Sequence, residues 1–445
     1  MESQTTESNS NNGGVGGFLA SCRERLCSAS DRRLRCAAAG FAGKLAKIAR
    51  DDPRRVAHSL KSGLALTLVS MFYYVTPLYN GWGDSTIWAL ITVVFVMQFT
   101  VGATLSKGLN RALGTLLAGF LAVGAHLVAR RCGEWGEPIL LAVLVFLVAS
   151  AATFSRFIPE IKARYDYGAI IFILTFAMVA VSSYRVENAI QFALERLTTV
   201  AVGVAICLFT TAFVFPIWAG EELHELAAGN LDKLAEFLEG LESKCFGENS
   251  SSENLEDTFL QVYRSVINSK VREDSLATFS KWEPIHGKFR FRHPWNQYQK
   301  LGTLCRQCAS SMEGLASCVA TIKESQYPAG NPELCLKIRS TCSAMSLHSA
   351  KALRGLSLTL RTMTVPAPIN NDMFVATKAA SDFRTELSED VALLQVMPMV
   401  FIASLLSDIV IQVERITETI NNLARLASFK SPERSRSAVV VNIDD

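Results

Sequence analysis

The run from Ile87 to Ala125, IWALITVVFVMQFTVGATLSKGLNRALGTLLAGFLAVGA, limits the fold more than any other part of the chain. Two apolar stretches meet there at a short basic connection carrying Lys107 and Arg111. An α-helix rises about 1.5 Å per residue, so about 20 apolar residues cross the roughly 30 Å hydrocarbon layer of a bilayer. The second stretch is rich in small residues: Ala112, Gly114, Thr115, Ala118, Gly119, Ala122 and Gly124. In lipid such residues let helix backbones approach closely, because packing replaces the hydrophobic drive. The run therefore predicts two membrane helices, the second with a close-packing face. Arginine is costly in that setting, and Arg111 at the mouth of the helix reads as lining a path for anions.

Six apolar segments follow one another at about 60–79, 86–105, 111–129, 138–155, 167–184 and 189–215. Hydrophobic residues make up 49% of the 445 residues while charged ones still reach 19%, a mixture that fits a chain half in the membrane and half in water. The net charge of +3 is too small to argue for nucleic acid as a partner. Residues 1–17 are polar and Gly-rich and read as disordered, with no signal-peptide pattern. From Arg23 to Lys61 basic residues far outnumber Glu24, Asp31, Asp51 and Asp52. That excess, with Lys107 and Arg111 in the second connection and Arg156, Lys162 and Arg164 in the fourth, places the N-terminus and those connections on the cytosolic face.

Beyond Phe215 the pattern changes. Pro216 ends the sixth segment, Glu221, Glu222 and Glu225 follow, and Trp218 reads as an interface anchor. Leu223, Leu226, Leu231, Leu234, Leu238 and Leu241 recur at helical spacing on one stripe. Further helices are expected near 254–282, 295–325, 332–363, 373–395 and 398–429, separated by turns such as Trp282-Glu-Pro-Ile-His-Gly. The apolar run Met399–Val413 is short for a seventh span and holds Asp408, so it reads as a buried helix of the soluble part. The expected class is all-α: a six-span transmembrane helical domain followed by a cytosolic helical bundle. The expected bounds are 1–56 for a disordered, basic cytosolic segment and 57–217 for the membrane domain. The cytosolic domain then takes 218–430 and a flexible tail 431–445.

No catalytic pattern emerges. The eleven cysteines have no pairing framework and read as reduced thiols, and Cys305-x-x-Cys308 lacks the second pair that a zinc site needs. The histidines are dispersed, with His286 a turn residue and His126 an interface residue. No cofactor and no metal is expected. Charge inside the spans is the informative signal. Arg196 lies about seven residues, or some 10 Å, into the sixth segment, and its neighbour Glu195 points about 100° away. Charged groups at that depth face a bundle interior or a watery cavity, and Arg or Lys lining a pore selects anions. Lys107 and Arg111 are spaced i, i+4 and share a face. The alternatives are a buried interhelical ion pair at Arg196 and an ordinary flanking role for Lys107.

The run TVGATLSKGLNRALGTLLAG resembles plant aluminium-activated malate transporters, as do FSRFIPEIKARYDYG (154–168), SSYRVEN (182–188), FVFPIWAGEELH (213–224) and WEPIHGKFRFRHPWNQYQKLGTLCRQCA (282–309). The resemblance covers roughly residues 50 to 430 and is closest to the cereal root malate-efflux type. It implies a homodimeric anion channel with six spans per subunit and a helical cytosolic domain, passing malate and often inorganic anions. It carries the family's pore arginines onto Arg111 and Arg196, and an acidic residue tied to aluminium response onto Glu187. Where members with a strong trivalent-cation site carry acids, this chain has Asn80 and Gln191. Glu187 alone is a sparse oxygen set for so hard a cation, so malate conduction is carried over further than aluminium activation.

A passive anion path is thus the leading expectation, in the plasma membrane or alternatively the vacuolar membrane. A coupled secondary organic-anion transporter would show interrupted spans in matching positions of two halves. A membrane-anchored interaction protein would not keep Arg111 and Arg196 in its spans.

Overall fold

The computed structural model of the protein describes residues 39–75, 85–184, 189–243, 261–287, 289, 293–324, 332–364, 369–389 and 397–430. It divides into two units, Met1–Leu68 and Val69–Asp445. The first holds helix α1 (39–51) and most of α2 (Pro53–Tyr74). Asp52 starts α2 as its cap: its carboxylate accepts the N–H of Arg54 at 3.2 Å, and Pro53 occupies the first helical position, where no N–H is needed.

In the second unit Thr100 decides where the long apolar run breaks. Its backbone is extended (φ −105°, ψ 154°) and its hydroxyl accepts the N–H of Ala103, so it begins a helix. The run therefore divides into α3 (Thr86–Val96) and α4 (Val101–Ala129), with Thr104 tying the connection through the N–H of Gln98 at 3.1 Å. This corrects the expected boundary. Lys107 and Arg111 are not in a connection but in the first turns of α4, and the cue was an N-cap threonine that the continuous hydropathy concealed. α5 (Gly133–Ser155), α6 (Pro159–Ser182) and α7 (Ala189–Phe213) complete the membrane segments. Four helices, Val101–Cys132, Trp135–Ser155, Pro159–Ser182 and Ile190–Phe213, are long and apolar enough to cross a membrane, while Thr86–Val96 is a shorter apolar helix.

The small-residue stripe of α4 is used within the chain. A Cβ at Gly114 would lie 2.7 Å from the Gly168 carbonyl oxygen of α6, so only glycine permits this approach. Below it Ala118 and Ala122 pack with Phe176, Val179 and Ala180. The close-packing face is therefore largely covered by α6, with Gly124 left exposed.

After α7 the chain turns sharply. Phe215 adopts φ 48°, unusual for a bulky residue, directly before Pro216. α8 (Ala219–Leu241) then carries Glu221 and Glu222 in its first turn, where the helix dipole favours negative charge. Its leucine stripe is buried at Leu223, Leu231, Leu234, Leu238 and Leu241, in one core shared with the helices that follow. Of the helix expected over 254–282, 254–260 lie outside the described residues and the rest is two helices, α9 (Val262–Ile267) and α10 (Lys270–Ser280), parted where the Ser269 hydroxyl turns back to the Val266 carbonyl at 2.6 Å. Then come α11 (Trp295–Glu324), α12 (Pro332–Thr362) and α14 (Met397–Leu426), close to the expected bounds, and between the last two α13 (Ile369–Glu389), which begins before the expected 373, while 390–395 lie outside the described residues. Leu406, Ile409, Val410 and Val413 of α14 sit in that same core, so the Met399–Val413 run belongs to the helical bundle that begins with α8. Among the described residues the chain is all-α, with isolated bridges and no β-strand.

Candidate functional site: an arginine cluster held by aromatic rings

Close helix approaches bring the cations of the spans against aromatic side chains. The Gly114–Gly168 contact draws α4 onto α6, reinforced by Asn110 donating to the Arg164 carbonyl at 3.1 Å. Tyr167, next to Gly168, thereby reaches both basic residues of α4. The Arg111 Nη1 donates to the Tyr167 hydroxyl at 3.1 Å, and the Lys107 Nζ lies 5.7 Å from the centre of the same ring. On the other side Gly203 admits Thr92 so closely that a Cβ there would fall 2.8 Å from the threonine Cβ. That contact draws α7 onto α3. On the same faces, two turns back along α7 and one turn back along α3, the Arg196 guanidinium lies over the Trp88 ring, 3.5 Å from its centre.

Arg111 and Arg196 are each only 4% exposed, and close enough for their charges to act on one another. Neither is neutralised: among the described residues no carboxylate pairs with Arg111, Arg196 or Lys107. The Arg111 Nε and the Arg196 Nε and Nη1 make no hydrogen bond. The neighbouring acids are engaged elsewhere. Asp166 is held by Arg156 at 2.7 and 3.3 Å. Glu195 accepts from Ser85 and from Gln191, each at 3.1 Å, and not from Arg196 beside it. Buried, unpaired guanidinium groups are expensive unless something supplies negative charge. Chemically the cluster is an anion-attracting patch, two buried arginines with spare donors and a half-buried lysine.

Three of the predicted site residues, Lys107, Arg111 and Arg196, are thus gathered in one helix bundle. Glu187, the fourth, and Asn80 lie outside the described residues. Trp88 and Tyr167 escaped the sequence reading because an aromatic residue in an apolar helix is ordinary and only the packing reveals its partner.

A second feature joins α4 to the helical bundle that begins with α8. Glu283, in the turn after α10, accepts the N–H groups of Ala219 at 2.6 Å, Gly220 at 2.9 Å and Gly102 at 3.2 Å. One carboxylate therefore caps the first turns of both α4 and α8. Burial raises its pKa above the usual glutamate range, against the opposing pull of those N–H groups and of His286. Trp218, expected as an interface anchor, belongs to this junction. Its ring stacks on His286, 4.0 Å centre to centre, inside this junction. His286 is indeed a turn residue, its Nδ1 2.8 Å from the Pro284 carbonyl oxygen.

Cys305 and Cys308 share a buried face of α11. Among the described residues no group of three His, Cys, Asp or Glu is placed to hold a metal ion.

The chain resembles known proteins along nearly its whole length. A family model described as aluminium activated malate transporter matches residues 46–395. The protein named aluminum-activated malate transporter 1 of Triticum aestivum is 62% identical over 436 residues, 96% of this chain and 94% of that one. Aluminum-activated malate transporter 2 of Arabidopsis thaliana is 43% identical over 405 residues, 88% of this chain and 80% of that one. Aluminum-activated malate transporter 1 of Arabidopsis thaliana is 40% identical over 400 residues, covering 87% and 80%. A match of this breadth, on a helical chain with membrane-length apolar helices, settles kinship: the chain is a membrane protein of the aluminium-activated malate transporter family, a family of transporters and not of enzymes.

Proposed function

We propose that the protein is an anion channel that passes malate, and inorganic anions with it, out of the cytosol. It acts as a homodimer whose pore is lined by Arg111, Arg196 and Lys107. The observation that carries this reading is the pair of buried arginines in the apolar helices, with which no carboxylate among the described residues pairs. In a narrow passage of low dielectric such charges attract anions far more strongly than in water. The names of the relatives point to malate as the cargo. A cell interior that is negative drives anions outward at about 2.3 kcal/mol per charge per 100 mV, so a dianion needs no coupled energy source. The plasma membrane is the proposed site, the vacuolar membrane the alternative. The proposed layout keeps 57–217 in the membrane and 1–56 and 218–430 in the cytosol, with 431–445 as a flexible tail. Glu187 is assigned to external cation sensing.

The test is current–voltage recording with malate or chloride as the only permeant anion, with surface abundance measured in parallel. Arg196→Ala and Arg111→Ala are expected to lose most of the anion current at normal abundance. Normal current from both variants overturns the pore assignment, and a chain that conducts as a monodisperse monomer overturns the dimer.

A further inference from the structure

The basic residues of the cluster have partners of an unusual kind. Lys107 and Arg111 stand one turn apart on α4, and both reach the same residue, Tyr167 of α6. Arg196 is matched in kind by Trp88. Acids were at hand for the purpose and are not used, since Asp166, adjacent to Tyr167, is bound by Arg156. The choice has a physical consequence. A carboxylate fixes an arginine by cancelling its charge, whereas a ring face or a phenol oxygen fixes it while leaving the positive charge whole.

The Tyr167 hydroxyl has one further property. It accepts from Arg111, which leaves its own O–H proton to donate, and among the described residues no acceptor takes it. An anion held beside Arg111 thus finds a neutral O–H donor next to two cations. A carboxylate offers several lone pairs in fixed directions and uses such a donor, whereas a halide is a sphere without preferred direction. Tyr167 therefore bears on which anion is favoured as well as on where the cations stand.

We propose that Tyr167 is a positioning and specificity residue for transport: its ring and hydroxyl hold Lys107 and Arg111 in place without neutralising them, and its free O–H favours carboxylate anions over halides. This rests on the reading of Lys107 and Arg111 as pore residues. Trp88 performs the first of these tasks for Arg196.

The experiment records malate and chloride currents from Tyr167→Phe and Tyr167→Leu, with surface abundance, beside Arg111→Ala. Tyr167→Phe keeps the ring under Lys107 but removes the hydroxyl. It is expected to reach the surface normally and to lower malate permeability relative to chloride several-fold, read as a shift in reversal potential under mixed anions. Tyr167→Leu is expected to lose tenfold or more of the malate current. A wild-type permeability ratio in Tyr167→Phe overturns the proposal, as does a loss of both currents in proportion to abundance, which would mark a packing role. Should Tyr167→Phe not reach the surface, the ratio of malate to chloride efflux from vesicles holding the purified variant decides. Failure to obtain folded protein there makes Tyr167 a folding residue and also overturns the proposal. Normal current from Arg111→Ala sinks the underlying pore reading instead, so the two failures are told apart.

Discussion

Glu283, in the turn after α10, accepts the N–H of Gly102 at the start of the apolar helix α4, 3.2 Å away, while the same carboxylate caps α8. The helical bundle that begins with α8 and the helix bearing Lys107 and Arg111 are thereby joined through one side chain that is 1% exposed.

Glu283→Gln keeps the shape of that side chain but replaces an acceptor-only group with one that turns an NH₂ toward N–H donors. Hydrogen bonds to a charged group are worth about 1.5–3 kcal/mol each, and at least one is lost. The purified full-length variant is expected to melt several degrees lower, with faster amide exchange confined to the first turns of α4 and α8. Unchanged exchange at Gly102, Ala219 and Gly220 would show that the carboxylate does not hold them.

Arg196→Lys separates charge from shape. The lysine keeps a point charge but not the flat group lying over Trp88. Anion current intermediate between the parent and Arg196→Ala is expected, while Glu187→Gln leaves the basal malate current intact. Full current from Arg196→Lys would mean that the Trp88 stack is immaterial.

Glu273 is 3% exposed and meets Arg306, the Asn230 amide at 2.9 Å and the Ser269 hydroxyl at 2.6 Å. Truncation leaves Arg306 and Asn230 without it in a buried setting, which costs about 3–5 kcal/mol for a broken buried pair. Glu273→Ala is expected to be among the least heat-stable single variants of the bundle formed by α8 to α14, and a melting point within a degree of the parent would contradict this.

His293 supplies a pH dependence whose sign can be worked out. Burial, together with nearby His224 and His286, pushes its imidazole down from 6.5 to about 4. Between those values the unfolded chain binds a proton that the folded chain refuses, so stability falls as pH drops through that window. The loss is about 3 kcal/mol at most by linkage. Melting curves from pH 7 to pH 4.5 are expected to be less steep in pH for His293→Gln than for the parent. Parallel curves would remove His293 as the cause.

Burial raises the thiol of Cys305 far up its range and those of Cys308 and Cys342 to about 12, so none forms thiolate at neutral pH. Maleimide treatment of the folded protein, mapped by mass spectrometry, is expected to label exposed Cys132 and spare these three. Labelling at Cys305 or Cys308 would show that α11 opens.

Much of this architecture was legible along the chain because hydropathy and helical spacing are local properties. Four long apolar helices, the leucine stripe of α8, the bounds of α11, α12 and α14, and the two arginines in those helices all follow from residue order. The break at Thr100 was written there too, as an N-cap signal, but the hydropathy on either side masked it. Other features had no sequence signal. That Tyr167 receives Arg111, that Trp88 lies under Arg196, and that Glu283 reaches Gly102 across 181 positions depend on which helix faces meet. Glycine contacts such as Gly114 with Gly168 set those faces, and a contact between distant residues is a property of packing. Sequence order thus determined which charges enter the membrane, and the tertiary structure decided what holds them there.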